Sequence, residues 1–290
     1  MSAKNGSGNF THMLDVKIIC FSQTGNTLRV AEAMSDACRE KGNSVSVISL
    51  KKATTEDAVN SDLLGVGTPC FSSQAPTPVK EFLRALPSLN GKQAFVFATS
   101  GGAPGRVLYD VASLLRGKSA NVIGGFLTRG ELHYPAPCLV GRFRGCPSQE
   151  HLARARRFAG LVLEHVTAGR SGPLLDIHRD ALKPGRGFYD LVASVSSDPL
   201  LRRLLPAPKI DRDRCNECLW CVDECPMGNI AMQTSPMLGD HCIRCYRCLT
   251  GCPQKAFDAN WLFGNLVCLS LYNTAFERWF GDVEPGERIY

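Results

Sequence analysis

VKIICFSQTGNTLRV, residues 16–30, decides the fold. Its first six residues, 16–21, form a short apolar run suited to a buried parallel strand. An amphipathic helix is predicted over 28–41, with Val30, Met34, Ala37 and Cys38 on one face and Gly42-Asn43 ending it. Between strand and helix lies Ser22-Gln23-Thr24-Gly25-Asn26-Thr27. The hydroxyls of Ser22, Thr24 and Thr27 and the backbone N–H groups around Gly25 and Asn26 are expected to converge at the helix N-terminus. Unpaired amide donors and the helix dipole both favour a phosphate there. The loop has neither the G-x4-G-K-[ST] spacing of a nucleoside-triphosphate loop nor the G-x-G-x-x-G of a dinucleotide loop.

Outward from this stretch the pattern repeats. Strands are predicted over 44–50, 63–68, 93–99 and 121–128, with helices over 78–86, 105–116 and 150–168. Strands alternating with helices predict an α/β fold, a doubly wound five-stranded parallel sheet. Two loops then fall at the carboxyl edge, the expected ligand crevice of such a sheet. They are Thr68-Pro69-Cys70-Phe71-Ser72-Ser73-Gln74 and Thr99-Ser100-Gly101-Gly102-Ala103.

The last third has a different chemistry. Eight of the fourteen cysteines form two copies of C-x2-C-x2-C-x3-C-P: Cys215, Cys218, Cys221, Cys225 before Pro226, and Cys242, Cys245, Cys248, Cys252 before Pro253. Every cysteine of the first copy has its partner 27 positions later. This is the ligand run of a chain carrying two [4Fe–4S] clusters, because three thiolates must reach three irons of one cube from a single tight loop. Zinc asks for four ligands in two pairs and leaves the third cysteine of each run without a role. A disulfide framework needs a secreted context, and no apolar signal segment opens the sequence. Trp220 and Tyr246 lie between the second and third cysteines of their runs, where they are expected to shield clusters from water.

These motifs carry resemblances. FSQTGNT after a first strand resembles the FMN phosphate loop of flavodoxins, and the two later loops fall where flavodoxins enclose the flavin ring. That resemblance implies FMN contacts from Ser22, Thr24, Gly25, Asn26, Thr27, Thr68, Pro69, Cys70, Phe71, Thr99, Ser100, Gly101 and Gly102. Phe71 is the candidate for one ring face, and His133 or Tyr134 for the other. The sequence departs from the family in having no glycine between Thr68 and Pro78, where a flavodoxin glycine flips to meet the half-reduced flavin. The cysteine runs resemble those of bacterial two-cluster ferredoxins, a small α+β domain. This resemblance implies that Cys215, Cys218, Cys221 and Cys252 hold one cluster, and Cys242, Cys245, Cys248 and Cys225 the other. The whole arrangement resembles flavodoxin–ferredoxin fusion proteins of anaerobes and archaea.

The expected division is a leader or tag over 1–13, an FMN-binding domain over 14–168 and a structured linker over 169–209. A two-cluster domain over 210–258 and a docking helix and tail over 259–290 follow. Asp198-Pro199 reads as a helix start within the linker. Of the other cysteines, Cys20, Cys38, Cys138, Cys146 and Cys268 read as small core residues, whereas Cys70 falls in a flavin loop. The chain has 290 residues, 44% hydrophobic content and a net charge of +6. Fourteen cysteines without a signal segment point to a reducing cytoplasm. No apolar stretch is long enough for a membrane span, and no motif suggests nucleic acid. Basic residues at 142–157 and 202–214 read as solvated faces, or as docking for a redox partner with an acidic surface. A homodimer stays open.

Function follows from the combination. The first expectation is a relay of low-potential electrons between two [4Fe–4S] clusters and FMN, to or from a partner redox protein. The alternative is a flavin-dependent reductase meeting a small substrate at the ring, with His133, Tyr134 and Cys70 as the nameable proton donors. A redox or iron sensor ranks last, for want of an output domain. Nothing in the sequence resembles an NAD(P)H module.

Overall fold

The computed structural model describes residues 13–102, 104–136, 139, 141–170, 172, 174, 182, 194 and 198–263. Apart from Met13, the expected leader lies outside the described residues. So do Ala103, Cys138, Cys268, most of 175–197 and the tail beyond 263.

The N-terminal part runs β1 (Asp15–Cys20), α1 (Asn26–Glu40), β2 (Ser44–Ser49), α2 (Thr55–Val59), β3 (Leu63–Pro69), α3 (Thr77–Ala85), β4 (Gln93–Ser100), α4 (Val107–Gly117), β5 (Asn121–Arg129) and α5 (Gln149–Thr167). The five strands form one sheet in the order β2-β1-β3-β4-β5, with every pair parallel. This is the doubly wound sheet that the alternation predicts. The short helix α2 was not foreseen, although Thr54 and Asp57 close a full capping box at its start. Two apolar cores cover the two faces. One gathers Val79, Leu83, Leu108, Val111 and Leu115 from α3 and α4. The other gathers Val30, Met34, Phe158, Val162 and Leu163 from α1 and α5.

Close strand packing explains the glycines of β3. Gly65 and Gly67 pair in register with Phe95 and Phe97 of β4. A Cβ at either glycine would fall inside the facing ring, so the phenyl groups lie flat over bare backbone. One of the two edge strands, β5, is met by the linker. Leu174 N–H bonds Ile123 O at 2.8 Å, and Arg116 holds the Leu182 carbonyl at 2.7 Å. An exposed edge of unpaired N–H and C=O groups is thereby blunted.

The C-terminal part follows α6 (Asp198–Leu204), the helix expected at Asp198-Pro199. It runs β6 (Lys209–Ile210), α7 (Trp220–Glu224), β7 (Ile230–Met232), β8 (Pro236–Leu238), α8 (Arg247–Gly251) and β9 (Phe257–Asp258). β6 pairs with β9 and β7 with β8, each antiparallel. Its buried cluster is small: Cys221, Ile230, Cys248 and Phe257. Among the described residues no helix is long and apolar enough to cross a membrane.

Gly67→Val should destabilise the sheet by about 1–3 kcal/mol, the usual cost of overpacking. Adding Phe97→Leu should recover part of that loss by making room. Denaturant midpoints of the single and double variants would read both effects.

Candidate functional site

Because all five strands run the same way, the loops after β1, β3, β4 and β5 emerge on one edge. The loop after β1 ends in Gly25, left-handed at φ 91°, which has no side chain to cap α1. A glycine accepts that backbone without steric cost, and the first turn of the helix presents its N–H groups outward. Ser22 Oγ accepts the Leu28 N–H at 3.2 Å. That leaves its own O–H able to donate to an anion. Thr24 is exposed. Thr27 instead turns inward, where its hydroxyl lies 2.8 Å from that of Thr99. Asn26 sends its amide to the Glu131 carbonyl at 2.8 Å. The two side chains thus fasten the phosphate-type loop to the end of β4 and to the loop after β5, while their backbone stays at the helix end.

The loop after β3 dispenses with glycine by another route. Phe71 and Gln74 exchange two backbone hydrogen bonds of 2.9 Å around Ser72 and Ser73, both left-handed at φ 46° and 66°. Two residues with positive φ between such a pair make the kind of tight turn normally given to Gly or Asn. Asp110 of α4 holds this loop in place. It accepts from Ala75 N–H at 3.2 Å and pairs with Arg106 at 2.8 Å and Lys80 at 3.6 Å. Thr68 is buried and bonds the carbonyl of Pro69. Phe71 meets Phe21 edge-on, ring centroids 6.3 Å apart, and packs against the α3–α4 core.

Cys70 donates its thiol to the Pro104 carbonyl at 3.4 Å. Burial pushes it up to about 12, against smaller lowering by hydrogen bonds from Ser100 and the Ser73 backbone. After β4, Ser100 Oγ and Gly102 close a small turn, and a Cβ on Gly101 would strike Leu132. Arg129, at the end of β5, escaped the sequence reading. It is 2% exposed, donates to the Gly102 carbonyl at 2.9 Å and lies 4.3 Å over the Phe143 ring. A charged residue directly after an apolar strand was the available signal.

The two cysteine runs fold alike. Glu217 and Leu219 are left-handed, and so are Arg244 and Tyr246, 27 residues on. Alternating handedness turns successive N–H groups inward, a concavity suited to anions such as thiolate-bound clusters. The fourth cysteines also match: Asn229 N–H points to Cys225 Sγ at 3.3 Å and Ala256 N–H to Cys252 Sγ at 3.4 Å.

Two cavities result. One is lined by Cys215, Cys218, Cys221 and Cys252; the other by Cys225, Cys242, Cys245 and Cys248. In each, three cysteines of one run meet the last cysteine of the other. Among the described residues no three candidate ligands converge tightly enough for a single metal ion. Four cysteine sulfurs lining one space match the donor set of a [4Fe–4S] cluster. Burial raises Cys245 to about 11 and Cys248 to about 12, with neighbouring thiols adding to it. Metal ligation is what makes such buried sulfurs anionic.

The aromatics differ in role. Trp220 is seated over Gly251 and carries the Arg247 guanidinium 4.8 Å above its ring, and Arg247 pairs with Glu224 at 2.8 Å. Tyr246 is 1% exposed and bonds the Pro206 carbonyl at 2.7 Å. Its ring meets Tyr134 at 5.1 Å and Trp261 at 5.0 Å. Tyr134, from the loop after β5, is therefore packed into the junction between the two halves, whereas His133 is exposed. Of the basic residues, Arg156 pairs with Glu40 and Arg214 with Asp211 on the surface, contacts of small energetic weight.

Comparison with known proteins agrees with these two halves. Residues 17–140 match the family model described as "Flavodoxin domain", and residues 207–253 the one described as "4Fe-4S dicluster domain". A flavodoxin of Clostridium beijerinckii is 23% identical over 111 residues, 37% of this chain and 80% of that protein. Among solved structures, a flavodoxin from the domain Archaea is similar with TM-score 0.44 and 21% identity, covering 53% of this chain and 99% of that one. The flavodiiron protein from Giardia intestinalis is similar with TM-score 0.43 and 20% identity, covering 56% and 39%.

The Cys70 thiol should resist iodoacetamide at pH 8 in the folded protein and react once urea unfolds it, as peptide mass mapping would read. Its folded value of about 12 exceeds the ordinary 9.0, so the folded chain keeps a proton that the unfolded chain loses. That contribution to stability is full below about pH 9 and declines as pH rises toward about 12. Urea midpoints should fall over that window and fall less in Cys70→Ala.

Proposed function

We propose that this chain, a flavodoxin domain followed by a 4Fe–4S dicluster domain, relays electrons between one FMN, two [4Fe–4S] clusters and a partner redox protein. The observation that carries this reading is the junction itself. Tyr246, which lines the cavity of Cys225, Cys242, Cys245 and Cys248, packs on Tyr134 of the loop after β5. Bound FMN would supply a centre that handles one electron or two, next to clusters that handle one each.

The chain's own residues divide the work. Ser22, Thr24 and the amides of Gly25, Asn26 and Thr27 would hold the phosphate at the positive end of α1. The loops at Thr68–Phe71 and Thr99–Gly102 would enclose the ring, and the buried Arg129 would supply positive charge beside them. Cys215, Cys218, Cys221 and Cys252 would ligate one cluster, and Cys242, Cys245, Cys248 and Cys225 the other. The left-handed turns between the cysteines would offer each cluster backbone N–H groups, and burial of the second run would keep water from its sulfurs. These factors set potentials.

A carrier is favoured over a reductase acting on its own substrate. Of the three nameable proton donors, Cys70 is occupied by the Pro104 carbonyl and holds its proton tightly, and the Tyr134 ring is packed between Tyr246 and Trp261. The partner would exchange single electrons, and the direction of flow follows from its potential.

Protein purified without oxygen should contain one FMN and about eight irons, the load of two cubane clusters. Reductive titration should then reduce both kinds of centre. Clusters without flavin, after FMN reconstitution, would sink the flavodoxin half of this reading. Arg129→Met should weaken FMN binding roughly tenfold, the scale of one lost hydrogen bond to a charged group, as fluorescence quenching on titration would measure.

A further inference from the structure

The two cysteine runs are near copies in sequence and backbone, yet they are buried very differently. Residues 216–219 of the first run are all exposed, Leu219 at 46%. Their counterparts, residues 243–246, are buried or half-buried, and Tyr246, which stands where Leu219 does, is 1% exposed. Cys218 is exposed, whereas Cys245 is partly covered. The cover over the second run comes from the sheet edge. Tyr134 of the loop after β5 packs on Tyr246 at 89°. Gln23 of the phosphate-type loop lies near Cys245, where its amide works against the burial that raises the thiol. The Gln23 Nε2 is sealed from solvent without a partner of good geometry. The amide is thus in place beside a neutral thiol, which accepts poorly, and a cluster-bound thiolate would accept it better.

We propose that the cluster held by Cys242, Cys245, Cys248 and Cys225 is the one that exchanges electrons with the flavin, and that Gln23 is the positioning residue that couples them. The order is then flavin, inner cluster, outer cluster, partner. This inference rests on the proposed relay and adds the sequence of centres within it. Gln23 sits between Ser22 and Thr24, so one short loop both receives the phosphate and donates to an inner-cluster ligand. In each event the reduced inner cluster gives up one electron and the flavin gains it. Two events, with protons from solvent, complete the flavin's reduction. A one-electron donor protein refills the outer cluster at the exposed 216–219 loop. The Gln23 donor favours the more negative, reduced cluster, because a hydrogen bond to a thiolate strengthens as charge builds on sulfur.

The test uses the full chain, purified without oxygen with both kinds of cofactor bound. Potentiometric titration followed by electron paramagnetic resonance gives a midpoint for each cluster. A chelated dysprosium ion in solution tells them apart, since it speeds relaxation of an exposed cluster more than a covered one. Gln23→Leu removes the donor at similar size. The expected result is a lower midpoint for the dysprosium-insensitive cluster alone, by roughly tenfold in its reduction equilibrium, about 59 mV for one electron. Gln23→Asn, which withdraws the amide by one methylene, should shift it the same way and serves if the leucine variant fails to assemble. A shift confined to the dysprosium-sensitive cluster, or none in either with full cofactor loading, would overturn the assignment and leave the relay standing. A wild-type chain that binds no flavin would instead sink the relay itself.

Discussion

A parallel sheet sends the chain out of every strand at the same edge, and this molecule is organised around that edge. Loops after β1, β3, β4 and β5 meet there because the strands cannot do otherwise. The links among them are short-range and polar: Thr27 to Thr99, Asn26 to the Glu131 carbonyl, Arg129 to the Gly102 carbonyl. They give a row of loops the rigidity of one surface. The cysteine-rich part packs on that surface through Tyr134, Tyr246 and Trp261, so the fold of the first part determines what the second part faces.

The two parts differ in what stabilises them. The sheet domain buries two apolar cores, one on each face. The cysteine domain buries few apolar side chains, and two of the four residues in its buried cluster are cysteines. A domain of that size ordinarily relies on a ligand or metal to hold it together. Its two halves exchange their last cysteines, so neither cavity closes without the other. Arg247, stacked on Trp220 and paired with Glu224, adds a second tie between them.

Much of the site was legible in the sequence because its signals are local. The phosphate-type loop is six consecutive residues, and α1 begins within it, at Asn26. Strand positions could be read because a strand covered on both faces must be apolar throughout. Other features were hidden. Arg129 is a single charge after a strand, indistinguishable in sequence from a solvated end. Phe71 reads equally as a ring-stacking residue or as core, and it packs edge-on to Phe21. Trp220 and Tyr246 occur in similar sequence settings, but Trp220 joins the two halves of the cysteine domain while Tyr246 faces the sheet domain.

By itself the sequence determined the chemistry: two ligand runs, a phosphate-type loop, and an alternation that allows one kind of sheet. Each depends on spacing within a few residues, where backbone geometry leaves few options. Only the tertiary structure decided how the two parts meet. The runs are nearly equivalent as sequence, and nothing within either one says which will be covered. That depends on Tyr134 reaching Tyr246, a contact between residues far apart in the chain. Such contacts are set by packing across a junction, where no local spacing rule applies.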